Sequence, residues 1–150
     1  MLSHIKKLFQ AAQQQPHAAD SLDFNTALAA LLVEVMRADG ELHDAEFDKI
    51  AELLQVRCEL PKEQVTALVE RAQQLVEEAV DMFSFAKQIN NYTSDIERIE
   101  IIELLWHVAF ADGQLDSHEE HIIRKIAGLF YVAHADFISA KLAAENAKNG

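Results

Sequence analysis

The chain has 150 residues, half of them hydrophobic, and 25 Asp and Glu against 13 Lys and Arg, for a net charge of −12. That length and apolar content suit one domain with its own core. The charge excludes DNA and RNA as partners, since both are bound through Lys and Arg that displace counterions; cations, basic proteins or plain solubility remain. Four Gly and two Pro leave few turn positions and point to long helices. No apolar run is long enough to span a bilayer, and Met1–Gln10 does not read as a secretory signal. A single cysteine, Cys58, cannot form an internal disulfide, so the expected setting is a reducing cytoplasm.

In chain order, Leu2, Ile5, Leu8 and Phe9 recur at helical spacing, with Lys6 and Lys7 on another side. They predict an N-terminal helix over 1–15 that packs on its own domain; peripheral contact with a membrane surface is the lesser reading. After a loop from Pro16 to Asp20, Asn25–Ala38 is nearly all apolar from Ala27 to Met36, with Glu34 the exception inside it. Such a helix must be central and covered all round. Asp39-Gly40 ends it. A helix from about Asp44 to Val56 follows, with Phe47, Ile50, Leu53 and Leu54 as its stripe. Pro61 suits the first turn of a long amphipathic helix carrying Val65, Leu68, Ala72, Leu75, Val76 and Ala79. Asp81 opens a shorter helix with Phe83, Ala86 and Ile89 expected inward, ending at Asn90-Asn91.

Ser94-Asp95-Ile96-Glu97 reads as a capping box, in which the cap hydroxyl and the third-position Glu satisfy each other's backbone N–H groups. The helix it opens runs to Ala111 and is a second central one. Asp112-Gly113 ends it, and Asp116 with Glu119 makes another cap pair ahead of a helix holding Ile122, Ile123, Ile126, Leu129 and Phe130. A last helix covers 135–147. No convincing strand is present. The expected fold is all-α: one domain over 1–150, a bundle of about seven or eight helices.

The two central helices belong to an internal repeat. Shifted by 73 positions, Leu31–Ile50 lies over Leu104–Ile123 with nine of twenty pairs identical, where chance gives roughly one or two. Each copy is an apolar run, an Ala-Asp-Gly turn, then Leu and Glu at fixed spacing. Repeat 1 covers about 24–57 and repeat 2 about 94–130, and a pseudo-two-fold relation between them is expected.

Asp-Gly-x-Leu-x-x-x-Glu matches the second half of a calcium-binding EF-hand loop, but Val35, Arg37, Val108 and Phe110 stand where the first half needs oxygen ligands. Neither copy is an EF-hand by itself. If the copies face each other, Asp39, Glu46, Asp112 and Glu119 can bring four carboxylates to one divalent cation, with waters completing the shell. The alternative is local architecture, in which Glu46 and Glu119 cap helices while Asp39 and Asp112 bond their own turns. Glu34 and His107 hold equivalent positions in the central helices and can meet as a buried pair or each face a water pocket. His118 and His121 can hold zinc or form a wet face. Asp95, Glu97, Glu100 and Glu103 read as a solvated acidic edge. A glycine-rich phosphate loop, a nucleophile elbow and a Cys-x-x-Cys are all missing, so no enzyme is expected. A helical protein-interaction module without metal, with an exposed apolar groove or a homodimer face, is the competing function.

The doubled Ala-Asp-Gly-x-Leu-x-x-x-Glu, each copy after a buried helix and about seventy residues apart, resembles the TerB-like (tellurite-resistance protein B) domain over roughly Phe24–Phe130. Ser94–Arg98 also looks like that family's pattern. The resemblance implies an all-α domain of paired helical repeats, a bacterial cytoplasmic setting and a link to tellurite and other chemical stress. It implies metal binding through acidic residues, here Asp39, Glu46, Asp112 and Glu119, and, since such domains occur beside J-domain co-chaperones, protein partners. The first copy departs from the second in having His43 in place of Asp116, a weaker cap.

Overall fold

The computed structural model describes residues 24–37, 44–57, 59–78, 81–110 and 117–149, with the side chains of 44–46, 57, 148 and 149 outside the description. Seven helices occupy them: α1 (Phe24–Met36), α2 (Asp44–Arg57), α3 (Lys62–Glu77), α4 (Met82–Tyr92), α5 (Asp95–Phe110), α6 (Ser117–Leu129) and α7 (His134–Asn149). No strand occurs among the described residues. The expected helix over 1–15, both Asp-Gly turns and the Asp116 cap lie outside the described residues.

The two all-round apolar helices are the interior. Every residue of α1 but Glu34 is buried, and so is every residue of α5 from Glu100 to Phe110. Fully buried Leu28, Leu31, Leu32, Val33 and Val35 each contribute roughly 1.5–3 kcal/mol relative to exposure. α1 packs on α3 and α4, α5 packs on α7, and α1 touches α5. The helices next in the chain cross over: α6 lies against α1, and α2 against α5. Trp106, fully buried, fixes the α5–α7 seam. Its ring lies 5.3 Å from that of Phe137, and the Lys141 ammonium sits 5.3 Å over it.

Helix ends follow local chemistry. The Asp81 carboxylate accepts from the Ser84 N–H at 2.8 Å and starts α4. At α5 the Ser94 N–H donates to Glu97 Oε1 at 2.7 Å, while the Glu97 N–H donates to Ser94 Oγ at 3.4 Å, the reciprocal pair of a capping box. Asn90 ties three helices at one end: its Nδ2 donates to the Leu129 carbonyl at 3.0 Å, and its Oδ1 accepts from Arg98, whose other nitrogen reaches Asp95.

Two expectations are corrected. Phe85, not Phe83, joins Ala86 and Ile89 in the core, and Phe83 is 61% exposed. At 100° per residue, Phe83 points roughly 110° away from the mean direction of the other three. Nor is the acidic edge of α5 wet along its length. Asp95 is exposed, but Glu100 and Glu103 are only 7% and 8% exposed, because they sit on a helix covered on every side beyond its first turn.

Candidate functional site

Of the four carboxylates expected to converge, Glu119 is the one whose side chain is described. It is the third residue of α6 and 4% exposed, with Ile122 and Ile123 burying the same helix one turn on. A carboxylate this buried must have polar or charged company. Glu46 belongs to α2, but its side chain, like Asp39 and Asp112, lies outside the described residues.

Glu34 and its charged surroundings lie at the junction of α1 and α6. Glu34 stands near the C-terminal end of α1, five positions before Asp39. Burial pushes its carboxyl above the usual value of 4.5, against the opposing pull of Arg37, Lys125 and His118. Arg37 is its neighbour at the end of α1, whereas Lys125 and His118 come from α6. A carboxylate near the end of α1 is thus within electrostatic reach of an imidazole in the first turn of α6.

His107, which occupies the Glu34 position in the second copy, pairs instead within its own helix. Its Nε2 lies 3.4 Å from Glu103 Oε2, and both groups are buried. Of the two readings open for Glu34 and His107, the mutual pair is not what forms: His107 has Glu103, and the charges that act on Glu34 are Arg37, Lys125 and His118. Glu100, Glu103 and His107, spaced three and four apart, share one face of α5, a buried polar line that a solvated-edge reading of the acidic residues misses. The signal was available in the sequence: a helix apolar on all other sides has no wet face for Glu103 to occupy.

His118 and His121 are both exposed on α6. Among the described residues no group of three or more His, Cys, Asp or Glu is disposed to hold a metal ion, and three of the four expected ligand side chains fall outside that set. Four carboxylates would form an all-oxygen donor set that suits a hard divalent cation and disfavours soft metals. Glu119 is of that type, and its burial fits a ligand as it fits a cap. No helix among the described residues is long and apolar enough to cross a membrane.

The family model described as "Tellurite resistance protein TerB" matches residues 25–142. No curated protein and no solved structure matches the chain.

Proposed function

This chain belongs to the TerB family, and we propose that it acts within it as a non-enzymatic cytoplasmic protein that binds one divalent cation between its two repeats, in the response to chemical stress. Asp39 and Glu46 from the first copy and Asp112 and Glu119 from the second are the proposed ligands. They would hold a hard cation through carboxylate oxygens, leaving water in the remaining positions. The bound ion would neutralise these carboxylates in a chain with net charge −12 and fasten the repeats to each other.

The observation that carries this reading is the crossed packing of α6 on α1 and of α2 on α5. It supports a pseudo-two-fold relation of the copies, as a joint site requires. The electrostatic reach of Lys125 and His118 of α6 to Glu34 near the end of α1 supports the same relation. The non-enzymatic part rests on a sequence with no phosphate loop, nucleophile elbow or Cys-x-x-Cys.

The test is thermal melting of chelator-treated protein with calcium, magnesium, manganese or zinc added singly. At least one hard cation is expected to raise the melting temperature, and Asp39→Asn with Asp112→Asn is expected to remove the rise. Indifference to every ion, or a rise that survives the double substitution, contradicts the joint site.

A further inference from the structure

The other end of α5 carries a feature the cation reading does not use. Asp95 opens α5 and Phe110 closes it, so the two ends of the helix lie about 22 Å apart at 1.5 Å per residue. The start of α5 and the α6–α7 turn enclose a cavity of about 200 Å³, lined among others by Asp95, Arg98, Ile99, Phe130, Tyr131 and Asp136. Large apolar side chains at this end are left in water: Tyr92 at the close of α4, Ile96 in the first turn of α5, and Tyr131, which is 86% exposed.

Tyr131 is the telling residue. It follows α6 with φ 59°, in the left-handed conformation where glycine is the default. The turn is a complete helix stop: the Tyr131 N–H donates to the Gly128 carbonyl at 3.1 Å, and the Val132 N–H to the Ala127 carbonyl at 3.0 Å. Glycine would make the same two bonds without strain. A tyrosine there stores strain and recovers little of it by burial; strained positions cluster at ligand clamps, and Tyr is among the residue types enriched in interaction hot spots.

The charge of the mouth selects the occupant. Asp95 and Arg98 neutralise each other across their ion pair, with Asn90 on the other Arg98 nitrogen, so the net negative charge of the lining comes from Asp136, which is exposed. With a net charge of −12 on the whole chain, the field here repels nucleic acid, anionic lipid and a second copy of this chain, and attracts cationic groups. We propose that this cavity docks a basic, apolar peptide segment of a partner protein: one aliphatic or aromatic side chain enters against Ile99, Phe130 and Tyr131, and an adjoining Lys or Arg meets Asp136. The proposal is independent of the cation reading, and its test is run in chelator so that the two fail separately.

The test selects a phage-displayed random peptide library on the full chain, then measures a synthetic peptide of the selected consensus. Enrichment of Lys or Arg beside Leu, Ile, Phe or Trp is expected. Affinity for that peptide should fall by at least about tenfold in Asp136→Lys and in Tyr131→Gly. Tyr131→Gly suits the left-handed backbone, so it should melt no lower than the parent, and lost binding then reports the lost ring rather than a lost fold. No enrichment, acidic consensus sequences, or equal binding by parent and both variants overturns the proposal. So does sedimentation showing a homodimer that Tyr131→Gly dissolves, which assigns the surface to self-association.

Discussion

Glu119→Gln separates a ligand from a cap. Gln has nearly the volume of Glu and serves as well at the third position of a capping box, so as a cap the substitution removes only a carboxylate's attraction to the start of α6, about 0.3–1 kcal/mol. The side chain is 4% exposed, so a ligand role cannot be replaced by a bulk-water shell on that side. At a cation concentration 100 times the dissociation constant, binding stabilises the parent by about 2.7 kcal/mol. For a chain of this size that raises the melting temperature by roughly 5–11 °C. If the substitution weakens affinity about tenfold, the same concentration stabilises the variant by about 1.4 kcal/mol, or roughly 3–6 °C. The assay is differential scanning fluorimetry of both proteins, each in chelator and in saturating cation. The ligand reading predicts that the variant and the parent differ little in chelator and that the cation-induced rise is about halved. Equal rises in both proteins refute it and leave Glu119 as a cap.

Phe85→Ala should cost about 3–5 kcal/mol and Phe83→Ala less than about 0.5 kcal/mol in urea unfolding, because the first empties a fully buried site and the second an exposed one; equal costs contradict the register of α4. Ser94→Ala should cost about 0.5–1 kcal/mol, and Glu97→Ala at least as much, since its 2.7 Å bond is the shorter of the pair and its charge faces the helix start; a clearly larger loss for Ser94 in the same unfolding assay contradicts that ranking. For Glu34→Gln the sign follows from the direction of the shift: burial raises the folded carboxyl above 4.5, so its contribution to stability is fully present below that value and is lost as pH rises through the raised one. The variant should therefore gain on the parent across that window in chelator, read as melting temperature against pH, and parallel curves contradict the shift.

Helices were legible in the sequence wherever composition and period agreed. The unbroken apolar runs of α1 and α5 announced two central helices, and Ser94 with Glu97 marked the start of α5 to the residue. Phe83 was misplaced because α4 is short, and three apolar positions spaced three apart fit more than one face; Phe85 breaks the tie only once the cap at Asp81 and the packing on α1 are in place. For Glu100 and Glu103, charge suggests a wet face while the helix that carries them has none there. Their burial depends on neighbours brought in from elsewhere in the chain, and so does the company of Glu34: nothing in the sequence around Glu34 places Lys125 and His118 beside it. The repeat, by contrast, was visible in identity alone. Its chemical meaning was not, because an Asp-Gly turn and a third-position Glu satisfy local backbone as well as they satisfy an ion.

A crystal structure grown with manganese measures the shared site directly, through the anomalous peaks and the separation of the Asp39 and Asp112 carboxylates. One peak per chain, with oxygen ligands from both repeats, is the predicted result. Carboxylates well beyond about 10 Å apart, too far to share an ion held at roughly 2–2.6 Å from its ligands, would contradict it.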